Sequence, residues 1–138
     1  MKAITLWQPW ASAIAFGIKK IETRAWSTRH RGYLLIHAAQ KTPRIWQEIG
    51  QQLCEKYFPK GTDLQSLPYG RIVAKVNLVD VIQITEKTAS IDPLEWEWGR
   101  FEKGRFAWYL QNLDCPERGR KISGKQGIWD AGEFLQLG

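Results

Sequence analysis

Lysine, glutamate and arginine crowd into the run Gly17-Ile18-Lys19-Lys20-Ile21-Glu22-Thr23-Arg24. An ammonium, a carboxylate and a guanidinium that share one recess can hold a phosphate, read the edge of a planar base or polarise a bound water. Exposed ion pairs of the same composition are common on protein surfaces and contribute only ~0–1 kcal/mol. What singles this segment out is its company. Trp7, Trp10 and Trp26 bracket the charges, and broad aromatic faces beside paired charges suit planar ligands.

The segment needs elements that aim it. Pro9 fits the first turn of a helix and Gly17 a left-handed cap, so residues 9–16 read as a short helix. Beyond the glycine, Ile21 and Thr23 alternate with Lys20, Glu22, Arg24 and Trp26, the period of a strand with Glu22 and Arg24 on one face. Lys19 falls at the mouth of that strand. The apolar stretch Gly32 to Ala38 reads as a buried strand closed by His37. Residues 42–57 read as a helix capped by Thr42, with Ile45, Ile49, Leu53 and Tyr57 on a face that Trp46 and Cys54 widen for packing against a sheet. Residues 71–84 read as a long strand bent near Asn77-Leu78, and residues 85–103 as a loop in which Trp96 and Trp98 share a face. Residues 105–113 and the segment after Gly127 read as the last strands.

Composition narrows the class. The 138 residues are 43% hydrophobic, enough to bury one core, so a single domain over 1–138 is expected. A formal charge of +6 suits a polyanionic partner. Arg118, Arg120, Lys121 and Lys125 form a further basic group, read as a solvated loop or a phosphate-steering patch. Cys54 and Cys115 have no metal-ligand spacing, and His30 and His37 do not complete a zinc set with them. No metal or cofactor is expected. Without an apolar signal core or membrane span, the expected setting is cytoplasmic. Phosphate-loop, dinucleotide and serine-triad motifs do not occur in the sequence.

Six ordered segments carry a family resemblance: Trp7-Gln8-Pro9-Trp10-Ala11, Gly17-x-Lys19-x-x-Glu22-x-Arg24, Arg31-Gly32 with Ile36-His37-Ala38, Gly70-x-Ile72-Val73-Ala74, Gly104-Arg105-Phe106-Ala107-Trp108 and Gly127-Ile128-Trp129. Together they resemble the ASCH domain family. The resemblance implies an α+β fold, a small PUA-like curled β-barrel of about five to six strands with two or more flanking helices. It also implies association with RNA or a modified nucleoside, and a cleft lined by Lys19, Glu22 and Arg24 with Gly17 shaping its edge. Trp10, Trp26, His37 and Gln126 join the candidate ligand-binding residues by type and position.

Some members of the family resemble amidohydrolases that deacetylate acetylcytidine, using a lysine at the Lys19 position, a threonine at the place held here by Glu22, and a downstream glutamate. In that alternative Lys19 and Glu22 are the catalytic pair. The chain departs from the pattern at Glu22, and alternation turns the neighbouring Thr23 to the opposite face. A third alternative is a regulatory module that takes a small ligand or a protein.

Overall fold

The computed structural model describes residues 1–86, 91–116 and 119–132, so Arg118 lies outside the described residues. Its strands are β1 (Lys2–Leu6), β2 (Ile21–Arg24), β3 (Gly32–Ala38), β4 (Ile72–Gln83), β5 (Phe106–Asp114) and β6 (Ile128–Asp130). They form one sheet in the order β2-β5-β4-β3-β1-β6. Only the β1–β3 pair is parallel among these neighbours. Three strands separate β2 from β1, which in a flat sheet would hold them ~19 Å apart. Yet Arg24 Nη2 on β2 donates to the Thr5 carbonyl on β1 at 3.0 Å. The sheet is therefore curled into a half-barrel, giving the expected α+β architecture with six strands and helices α1 (Trp10–Ala15), α2 (Arg44–Tyr57) and α3 (Pro93–Trp98). A 3-10 turn spans Leu64–Ser66.

Helix α1 fills the hollow of the sheet. Ala11 and Ile14 join Leu34, Ile36, Val76 and Trp108 in the main core, while Ala13 faces a second core with Leu53, Cys54, Phe58 and Trp98. Gly17 ends the helix at φ 77°, a conformation other residues reach only at ~1 kcal/mol or more. Pro9 occupies the N-cap rather than the first helical position. The cap is supplied instead by buried Gln8, whose Oε1 accepts from Ser12 N at 2.9 Å and whose Nε2 donates to the Pro68 carbonyl at 2.7 Å.

Two expectations change. In α2 the buried residues are Gly50, Leu53 and Cys54, whereas Ile45 is 77% and Ile49 45% exposed. The helix docks through Gly50, where an added Cβ would stand 3.0 Å from Pro9 and 3.3 Å from Leu64. That close approach turns the isoleucine stripe outward and seats α2 on α1 and the 3-10 turn instead of the sheet. Thr42 does not cap α2, because its hydroxyl donates to the Gln8 carbonyl at 2.6 Å.

The second change concerns the loop expected over residues 85–103, which contains α3. Asp92 Oδ1 accepts from Leu94 N at 2.9 Å and Pro93 takes the first turn. Helical spacing separates the two tryptophans that an extended loop would have aligned: Trp98 is buried and Trp96 exposed. The bend in β4 is present, as a register shift against β5 between Leu78 and Asp80.

Candidate functional site

A cleft of about 970 Å³ opens along the inner rim of the half-barrel. Of the candidate residues, Trp10, Glu22, Arg24, Trp26, His37 and Gln126 line it. Gly17 and Lys19 do not. They border a separate depression of about 240 Å³ on the other side of the α1–β2 connection. Lys19 is 1% exposed and works from beneath the cleft. Its Nζ lies 3.4 Å from Glu22 Oε1 and donates to the carbonyls of Ile21 and, at 3.2 Å, Trp98.

Glu22 is consequently gripped from several sides. Oε1 accepts from Thr23 N at 3.1 Å, and Oε2 lies 3.3 Å from Arg24 Nε. Arg24 Nε itself has no hydrogen-bond partner. Burial lowers the pKa of Lys19; Glu22 and Glu95 oppose the shift and Arg24 adds to it. The net shift is downward, because the side chain is withdrawn from water.

Strand β2 is the edge of the sheet, and side chains occupy its outward backbone groups. Glu95 of α3 accepts from Lys20 N at 2.9 Å and from Ile21 N at 3.1 Å. The Ile21 carbonyl takes Lys19 and the Thr23 carbonyl takes Arg105 Nη2 at 3.2 Å. Thr23 lines the cleft beside Glu22, and its hydroxyl accepts from Arg100 N at 3.0 Å.

The opposite wall is neutral. His37 Nε2 lies 2.6 Å from the Ile122 carbonyl, which can only accept, so Nε2 carries the proton. Nδ1 then accepts from the Thr5 hydroxyl at 3.1 Å, and Thr5 Oγ1 accepts from Trp129 Nε1 at 3.0 Å. Burial lowers the His37 pKa against the pull of its backbone partners, favouring this neutral ring. Gly124 closes the loop over the group: a Cβ there would lie 2.5 Å from Thr5 Oγ1 and 2.7 Å from His37 Nδ1.

Trp7 and Lys125, noted in the sequence, also line the cleft, together with Trp46, Arg100 and Arg105, which sequence reasoning did not place there. Trp7 and Trp46 stand with ring centroids 6.4 Å apart and tilted by 33°, and Trp7 is 44% exposed. Arg100, Arg105 and Lys125 add positive charge, against Glu97, which pairs with Lys56 at 2.7 Å. Glu95 was hidden because residues 85–103 read as a loop. The Asp92-Pro93 start signal could have revealed the helix that carries it. Among the described residues, no group of three or more His, Cys, Asp or Glu could hold a metal, and no helix is long and apolar enough to cross a membrane.

Fold and cleft together define an α+β half-barrel with a charged, tryptophan-walled recess. The ASCH domain family model matches residues 4–113, and the chain belongs to the ASCH domain family. Activating signal cointegrator 1 of Homo sapiens and that of Mus musculus are each 35% identical to it over 82 residues, covering 57% of this chain. The chain spans 14% of the length of these relatives. The crystal structure of ASCH from Zymomonas mobilis aligns with a TM-score of 0.46 at 15% identity, over 88% of this chain and 72% of that one.

Proposed function

We propose that this cleft binds RNA or a modified nucleoside, within one domain acting in the reducing cytoplasm, where free Cys54 and Cys115 are at home. The observation that carries the reading is the Glu22 carboxylate, presented at the cleft between the Lys19 ammonium below and the Arg24 guanidinium beside it. Glu22 accepts from an exocyclic amine, and Arg24 supplies donors to an adjacent acceptor. Tryptophan faces offer stacking worth ~1–3 kcal/mol per base. Arg100, Arg105 and Lys125 suit the phosphates of a strand, and an open cleft suits unpaired bases better than duplex.

Amidohydrolysis is the second reading. It would ask Lys19 to act as base or to activate an attacking group, yet the ammonium is engaged by two carbonyls and Glu22 below the cleft. That engagement favours binding over turnover.

The test is titration of a cellular small-RNA pool across a salt series, comparing the unaltered protein with the double variant Glu22→Gln, Arg24→Ala. The expected result is a steep salt dependence and a loss of about tenfold or more in affinity for the variant. Absence of RNA binding sinks the reading and moves the question to turnover of acetylated nucleosides. Salt-insensitive capture of a small ligand or protein instead selects the regulatory module.

A further inference from the structure

Glu95 and Lys19 neither line the open cleft nor hydrogen-bond to one another, yet both converge on the first residues of β2. Glu95 is 5% exposed and spends both carboxylate oxygens on consecutive backbone N–H groups, those of Lys20 and Ile21. Burying a carboxylate is costly unless its charge is answered. Here it is answered by those two donors and by the field of the Lys19 ammonium, to which it is electrostatically coupled. The same helix offers the Trp98 carbonyl to Lys19 Nζ at 3.2 Å, 79 residues away in sequence. One helix of six residues thus fixes the strand mouth with a side chain and receives the lysine with a backbone oxygen.

The next residues continue the attachment. Arg100 N donates to the Thr23 hydroxyl at 3.0 Å, and Arg105 links the Arg100 carbonyl at 3.1 Å to the Thr23 carbonyl at 3.2 Å. Gly99 permits this approach, because a Cβ there would stand 2.8 Å from the Phe101 ring and 3.2 Å from Thr23 Cγ2. Glu22 lies between these two attachments. Its direction is set by Thr23 N on one oxygen and by Lys19 from below.

We infer that Glu95 and Lys19 are a positioning pair for Glu22: α3 clamps the start of β2 so that the buried ammonium holds the Glu22 carboxylate at the cleft in one orientation. The inference rests on the reading of the cleft as an RNA or nucleoside site and assigns two residues that need never contact the ligand. Glu95→Gln keeps the side-chain volume and one acceptor, but turns an NH2 toward a backbone N–H and removes the negative charge facing Lys19.

The experiment is a double-mutant cycle on binding, read with a fluorescein-labelled mixed-sequence RNA dodecamer. The four proteins are the unaltered chain, Glu95→Gln, Glu22→Gln and the double variant, each checked for folding by circular dichroism and thermal unfolding. Expected is a loss of about fivefold for Glu95→Gln in the unaltered background, falling below about twofold once Glu22 is Gln, since a residue acting through Glu22 has nothing left to position. Lys19→Met, taken through the same cycle, serves should Glu95→Gln fail to fold. Equal losses in both backgrounds identify general support of the fold and overturn the inference, as does no loss at all, while the RNA reading stands. If the unaltered chain does not bind the dodecamer, the RNA reading and the inference resting on it both fall.

Discussion

The two walls of the cleft are both polar and both sunk into the half-barrel, but they are built on opposite electrostatic plans. The β2 wall is built from ionisable side chains: buried Lys19 under Glu22, with partly buried Arg24 beside it and buried Glu95 behind. The β1–β3 wall buries the neutral chain Trp129–Thr5–His37–Ile122, in which each hydrogen passes from a donor to an acceptor in one direction. Arg24 links the two by donating to the Thr5 carbonyl at 3.0 Å. An ion pair out of water is held only while every partner is present, whereas a neutral relay depends on protonation and tautomer. The ionic wall is thus the more sensitive to deletion, and the neutral wall answers to acid through its imidazole.

Three changes break or sharpen that contrast. The largest effect is expected from Lys19→Ala, which leaves Glu22 without its buried partner and two carbonyls without a donor; chemical denaturation should show a loss of about 3 kcal/mol. A loss within error would mean that the ionic wall contributes nothing to stability and that the two walls do not differ in this respect. Thr5→Val keeps the shape of the neutral wall but strands Trp129 Nε1 and His37 Nδ1, and about 2 kcal/mol should disappear from the urea unfolding free energy.

The smallest effect is the pH response of His37. Its folded pKa lies below the ordinary 6.5, so as pH falls below 6.5 the unfolded chain takes up the proton first. The contribution of the neutral ring is complete above that pH and is lost as pH falls toward the folded pKa. Thermal scans should show the unaltered protein losing stability from pH 7.5 to 5.5, with a flatter profile in His37→Gln. Identical profiles would remove the ring from the account.

The glycine cap and the strand period were enough to put Glu22 and Arg24 on one face, since both signals are local. The depth of Lys19 was not readable, because it depends on the Trp98 carbonyl that accepts from its Nζ and on the nearby charge of Glu95, both more than seventy residues away in sequence. Strands β2, β4 and β5 were legible from their alternation and β3 from its apolar run, whereas β1 was not read from the sequence. The rotation of α2 was not: four-residue spacing marked Ile45 and Ile49 as inward, but the contact is made by Gly50, which offers no apolar signal. For α3, a single turn and a half of helix leaves little periodicity, and only its Asp-Pro start announces it.

The occupied outer edge of β2 also bears on how the molecule meets its own kind. An edge strand with free amides and carbonyls is a template on which another chain can add a strand, the first step toward aggregation. Here Glu95, Lys19, Glu22 and Arg105 have already taken the outward N–H and C=O groups of Ile21 and Thr23. The side chains around the cleft thereby also deny a neighbouring molecule the ladder it would need along this edge, so that the hydrogen bonds which fix β2 also close it to strand addition.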